Sequence, residues 1–244
     1  MNGSHIRARA RRILLVAASP ATSTTLGIPV GFWASELIHP WHEFRTAGYE
    51  VEITSPKGGR IEMDGLSDPR DASGYSAHDI LSLGFLMTPS CAALLEETKS
   101  LGEVEPADYD AILVCGGQSP MFTFRGMEPL ERLIAQFYES GRPTATVCHG
   151  AAALIDLKLS DGSPLIAGKT ITGFSNAEED IADAMVGAKV MPWRIEDAAR
   201  ERGANFIRAA AWSPFAVRDG HLITGQQQYS GARTARLLIE ALGA

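Results

Sequence analysis

The stretch "TATVCHGAAALIDL", residues 144–157, places two different local signals end to end. Thr144, Thr146 and Val147 are β-branched residues of the kind that pack on a pleated surface. From Gly150 onward the chain turns to alanine and leucine, which favour helix. Cys148-His149-Gly150 forms the joint. A strand that enters a helix through a tight turn exposes the residue at the turn and aims the helix N-terminus at it. Two readings of Cys148 follow: an inert thiol buried at a strand–helix junction, or a nucleophile on an elbow. In the second, the partial positive charge of the helix N-terminus lowers the thiol's pKa. His149 is then a base or an imidazolium partner, although adjacent residues face one another only across a distorted backbone.

The same alternation extends outward in both directions. "RILLVAAS" (12–19) reads as a buried strand and "YEVEITSP" (49–56) as an alternating one. Between them "GFWASELIHPWHEFRTAG" is helical, with a break or kink expected before Pro40 and a stop at Gly48. "SCAALLEETKSL" (90–101) reads as an amphipathic helix, acidic early and basic late. "YDAILVCGG" (109–117) is a buried strand ending in a glycine pair, and "PLERLIAQFYESGR" a helix with a glycine stop. Downstream, "KTITGF" is a short strand, "NAEEDIADAM" a helix capped by Asn176, and "RIEDAARERG" a further helix. "FAVRDGHLITG" carries an Asp219-Gly220 hairpin signal, and "ARTARLLIEAL" closes the chain as a helix. Strand–helix alternation predicts an α/β fold, a mostly parallel sheet sandwiched by helices. No composition shift or repeat divides the chain, which gives a flexible segment over 1–11 and one domain over 12–244. Segment 57–88, rich in Gly, Asp and Ser, reads as a long surface excursion suited to a lid.

The composition narrows the function. With 244 residues, 45% hydrophobic and 21% charged, the chain resembles an ordinary globular protein. A net charge of −7 argues against a nucleic-acid or anionic-membrane surface. No run approaches the ~18 apolar residues of a membrane span, and no secretory leader is visible. Three widely spaced cysteines, Cys91, Cys115 and Cys148, fit reduced thiols in the cytoplasm better than a disulfide framework.

Ligands in open α/β sheets sit outside the carboxyl ends of the strands. Ser19-Pro20, Cys115-Gly116-Gly117 and Cys148-His149-Gly150 should meet there. The glycine pair allows close backbone approach, and its N–H groups, with that of His149, suit an oxyanion hole. Cys115 and Cys91 read as small core residues. Glu36, in the apolar run "FWASELI", is either solvated or a semi-buried acid with a raised pKa, able to act on a thiol. Glu178, Glu179 and Asp180 are first-turn helix acids, one of which can orient His149. His39, His42 and Glu43 are split by Pro40, so no metal is expected.

Taken together, "AILVCGGQSPM", "TVCHGAAAL", "LIAGKTITGFSNAEE", "DGHLITGQQ" and "ASELIHPWHEFRTAGYEVEITSPKGG" resemble, in order and spacing, the ThiJ/PfpI superfamily. That group includes the parkinsonism-associated deglycase and shares the fold of class I glutamine amidotransferases, a flavodoxin-like sheet. The similarity is greatest to its branch of heat-inducible chaperones and glutathione-independent glyoxalases (glyoxalase III), over about residues 12–242. The resemblance implies that Cys148 is the nucleophile, His149 its neighbour, Glu36 the acid that meets the thiol, and Glu179 the triad acid, with Glu178 the alternative. Gly116, Gly117 and Gln118 would border the oxyanion and substrate site. It also implies a homodimer, a small carbonyl substrate, and conversion of a 2-oxoaldehyde to a 2-hydroxy acid with no cofactor. Where that branch shows Gly-Gly-His-Gly, this chain has Gly116-Gly117-Gln118-Ser119. Ala151 replaces the usual proline, and Gly225-Gln226-Gln227-Gln228-Tyr229-Ser230 stands where a Gly-Gln-Asn-Pro-x-Ser pattern is usual. These changes at the pocket rim keep two other readings open, a cysteine hydrolase of an amide, imide or ester, and a redox-sensing holding chaperone. Met121, Phe122, Phe124, Trp193 and Trp212 are either ordinary core or an enlarged apolar pocket.

Overall fold

The computed structural model describes residues 10–243; most of the flexible segment expected over 1–11 lies outside them. Eight strands form one sheet: β1 (Arg12–Val16), β2 (Glu50–Ser55), β3 (Lys57–Gly59), β4 (Thr98–Ser100), β5 (Ala111–Val114), β6 (Thr144–Val147), β7 (Ala216–Asp219) and β8 (Leu222–Gly225). Their order across the sheet is β7-β8-β6-β5-β1-β2-β4-β3. The inner six are parallel, and the edge strands β7 and β3 run antiparallel to their neighbours. Register aligns the carboxyl ends: Val16 faces Val114, Val114 faces Thr146, and Val147 faces Gly225.

The sheet is buried on both faces, as parallel strands require: β5 is apolar at every position, β1 at all but Arg12, and the threonines of β6 are fully buried. Leu14, Val16, Ile112 and Val114 point to one side, and Ile13, Leu15, Ala111 and Leu113 to the other. Helices α1 (Ala34–Thr46), α2 (Ile80–Met87) and the C-terminal α6 (Gly231–Ala241) cover the second face through Leu37, Ile38, Phe85 and Leu238. The first face carries α3 (Glu128–Glu139) through Leu130, Ile134 and Phe137. Also on that side lie α5 (Ile195–Glu201) and the loop-rich region around α4 (Asn176–Val186).

Four local expectations are corrected. Residues 90–101 do not form one helix: a single α-turn and a 3₁₀ turn give way to β4. Sheet pairing overrides helix propensity there, since Thr98 donates its hydroxyl to Gly59 O at 2.7 Å and pairs with Ser55 Oγ at 2.8 Å. Helix α1 runs through Pro40 without a break. The proline withholds an N–H from the Glu36 carbonyl, and its ring packs where a Cβ at Gly231 would lie 3.1 Å away. Helix α4 is capped by Ser175, with Asn176 its first helical residue; Ser175 and Glu178 form a reciprocal capping box. The 57–88 excursion contains β3 and α2, and Ile61, Asp64, Ser67, Phe85 and Leu86 within it are buried. It is a packed flap.

Candidate active site

Cys148 follows β6 directly and adopts φ 57°, a left-handed conformation rare outside glycine. Such strain persists only where the surroundings over-determine it. Here the seven residues Cys148–Leu154 form a wholly buried 3₁₀ helix wedged against the ends of β5 and β6. The elbow therefore exists, and its tip is 3% exposed.

Four carboxylates gather around it. Glu36, in the first turn of α1, is fully buried. Neither of its oxygens has a hydrogen-bond partner of standard geometry; the Cys148 thiol and the Gly116 N–H offset part of the burial cost. Burial pushes its carboxyl well above the ordinary 4.5. A side chain at position 116 would place its Cβ 2.4 Å from Glu36 Oε2 and 2.8 Å from His149 N, so the acid reaches the elbow only across a glycine. Gly117 (φ 112°) lies as tightly against Trp33.

Glu179 settles beside His149, with Oε1 3.0 Å from Nε2, and Nδ1 of the same ring donates to Gly117 O at 3.1 Å. Both ring nitrogens are thus engaged. The thiol's proton partner in this arrangement is Glu36. Glu178 points elsewhere. It accepts from Ser175 N and Oγ, Trp212 N and Gln226 Nε2, at 2.7–3.1 Å. Two adjacent acids that sequence could not separate have different partners.

Asp64 is the carboxylate that sequence reading missed. Buried in the flap, it accepts the Gly31 N–H at 2.8 Å and the Gln118 N–H at 2.7 Å. Burial raises it from the ordinary 3.8 to about 7, against the pull of those two amides. No local pattern marked it, because its partners lie 33 and 54 residues away. The Gln118 N–H is consequently committed to Asp64, while the Gln118 side-chain Oε1 is buried without a partner.

The expected lowering of the Cys148 pKa is not found. Burial pushes the thiol well above its ordinary 9.0, and Glu36 pushes it further; only the His149 N–H opposes them. A 3₁₀ helix with poorer alignment offers less dipole than the α-helix the sequence suggested. The thiol and Glu36 therefore resist charge together.

A cavity of about 100 Å³ opens above this cluster, bordered by Cys148, His149, Glu36, Glu179, Gly117 and Gln118. Trp212 and Gln228 belong to its wall. Met121 and Phe124 are core, and Trp193 donates its indole N–H to Met121 O and stacks under Arg125. Trp33, Leu66, Tyr75, Phe174, Met185, Val186 and Met191 also line it, and of these only Trp33 had a sequence cue, its neighbour Glu36. His39 pairs with Asp79 at 2.8 Å, and Glu43 with Arg236. Cys115 is core and Cys91 half-buried, both free thiols.

A parallel sheet with a strained cysteine elbow, a buried acid beside the thiol and a histidine–carboxylate pair defines the class: the chain belongs to the DJ-1/PfpI family, whose match spans residues 25–241. Among relatives, Glyoxalase 3 of Candida albicans is 29% identical over 222 residues, 88% of this chain and 91% of that protein. The glutathione-independent glyoxalase HSP31 of Saccharomyces cerevisiae is 31% identical over 223 residues, with the same two shares. The crystal structure of the 24 kDa Rapid Encystment Protein of Francisella tularensis superposes with a TM-score of 0.85. Its identity is 28%, over 95% of this chain and 99% of that one. Among the described residues no helix is long and apolar enough to cross a membrane.

Proposed function

We propose that this chain is a glutathione-independent glyoxalase-type enzyme, converting a 2-oxoaldehyde to a 2-hydroxy acid on the ThiJ/PfpI-like unit of residues 12–244. The observation that carries the reading is the strained Cys148 elbow with fully buried Glu36 at its thiol; the activity of the named relatives supports it. The Cys148 sulfur adds to the aldehyde carbon, and its proton passes through Glu36 to the aldehyde oxygen, giving a hemithioacetal. Glu36, again a carboxylate, removes the proton from that carbon to give an enediolate and returns it to the neighbouring carbon, while the hydroxyl proton passes from the first carbon's oxygen to the second's. The resulting thioester is hydrolysed to the 2-hydroxy acid and free thiol. One substrate carbon is oxidised and the next reduced, so water is the sole co-reactant.

His149, fixed by Glu179 and the Gly117 carbonyl, stands beside the developing oxyanion. The Gly117 N–H and the His149 amide are the backbone donors, and the Gln118 side chain contacts the substrate's second oxygen. A homodimer and a cytoplasmic location belong to the same proposal and are checked by sedimentation and by fractionation of cells. The deciding experiment supplies methylglyoxal and follows lactate by enantioselective assay, for wild type, Cys148→Ala and Glu36→Gln. Both variants should fall by at least about 10³-fold. Lactate formation persisting in Cys148→Ala, or absent from the wild type, overturns the reading.

A further inference from the structure

We propose that this cavity selects 2-oxoaldehydes whose ketone carries a bulky apolar substituent, aryl or extended alkyl, over methylglyoxal, and rejects anionic ones; this rests on the oxoaldehyde reading above. The wall beyond the reacting cluster is made by Trp33, Leu66, Met185, Val186, Met191 and Trp212. Three of these are large apolar side chains left in solvent: Met185 is 64% exposed, Val186 51% and Leu66 40%. Single exposed hydrophobic residues need no explanation, but a group of them rimming one cavity marks a binding surface. A methyl substituent covers little of that rim, whereas a phenyl ring or a pentyl chain lies along it.

Trp212 adds an independent argument. Its backbone sits at φ 63°, and the Glu178 carboxylate holds its N–H at 3.1 Å. A non-glycine residue kept in that region carries strain of the kind retained at ligand sites. The strain sets an indole that meets Phe174 edge-on at 5.8 Å, next to the His149 ring. Trp33 is fixed likewise by an edge contact with Tyr75 at 6.0 Å. Two pre-set aromatic edges accept a flat apolar group at little ordering cost.

Charge excludes the other class. Among the described residues no lysine or arginine lines the cavity, and its titratable lining is the buried Glu36 and Cys148, Tyr75 and the Glu179–His149 pair. A carboxylate or phosphate on the substrate would lose its hydration there with no free cation to answer it.

The test measures kcat/KM for methylglyoxal, pentylglyoxal, phenylglyoxal and 4-carboxyphenylglyoxal, with wild type and the Met185→Ser/Val186→Ser double variant. Each methylene buried on the wall should raise kcat/KM roughly three- to fourfold. Pentylglyoxal and phenylglyoxal should therefore exceed methylglyoxal at least about tenfold, and the carboxylated ring should lose that gain. In the double variant the phenylglyoxal-to-methylglyoxal ratio should fall to about threefold or less. Turnover of methylglyoxal as fast as, or faster than, the larger neutral substrates overturns this inference while leaving the glyoxalase reading standing. Turnover of none of the four overturns both. An unchanged ratio in the double variant refutes the rim as the selecting surface.

Discussion

Asp64 makes native stability fall with pH over a range in which most proteins gain. The folded chain holds its proton more tightly than the unfolded chain, at about 7 against an ordinary 3.8. The contribution is fully present below about pH 4 and is lost as pH rises through 7. A difference of roughly three pH units corresponds to about 4 kcal/mol for this nearly fully buried group. Asp64→Asn removes the titration but keeps the shape. One amide oxygen can serve only one of the Gly31 and Gln118 N–H groups, so at about pH 4 the variant should be less stable by roughly 1–3 kcal/mol. By about pH 8 the order should be level or reversed. Urea unfolding of both proteins at matched pH values gives the difference directly and cancels the titration of every other group. A difference that stays constant within about 1 kcal/mol between these pH values, or grows in favour of wild type, refutes the account of Asp64 as an acid held protonated by burial.

Three further outcomes follow from the site. Glu36→Gln removes a group that raises the Cys148 pKa. The pH midpoint for alkylation of Cys148, followed by peptide mass spectrometry, should therefore move down, and an upward shift would contradict the pairing. Gly116→Ala forces a Cβ to within 2.4 Å of Glu36 Oε2 and 2.8 Å of two backbone atoms. It should cost about 1–3 kcal/mol in thermal unfolding and most of the turnover. Glu178→Ala strands four buried donors across 175, 212 and 226. Its loss should exceed about 3 kcal/mol by urea titration, whereas Glu179→Gln should keep the fold and lose activity.

The βα alternation was legible because the central strands are short and rich in apolar and β-branched residues, and the helices α1 and α3, after β1 and β5, stop just before Gly48 and Gly141. Residues 90–101 misled because their charge pattern is helical while the decisive interaction, pairing of Thr98 with Ser55 and Gly59, is non-local. The motif residues Cys148, His149, Glu36, Gly116 and Gly117 were legible together, since a family resemblance linked positions that no spacing rule connects. Glu178 and Glu179 were not separable by sequence. One residue of helix rotation decides which acid meets His149, and Ser175 sets that rotation by capping where Asn176 was expected. Asp64 and the apolar rim were invisible because they come from the flap and from the far end of α4, brought in only by tertiary packing.

That last helix has a consequence for how such a site can change. Helix α4, 11 residues long, carries Glu179 in its first turn beside His149 and ends with Met185 and Val186 at the cavity mouth. It behaves as a single rod about 16 Å long. Sliding or tilting the rod to admit a new substrate would drag the His149 partner out of place. Exchanging side chains at its solvent end leaves the acid untouched. On the proposed function, replacements at 185 and 186 would reshape the cavity mouth alone, while any movement of the helix as a whole would disturb the Glu179–His149 pair at its other end.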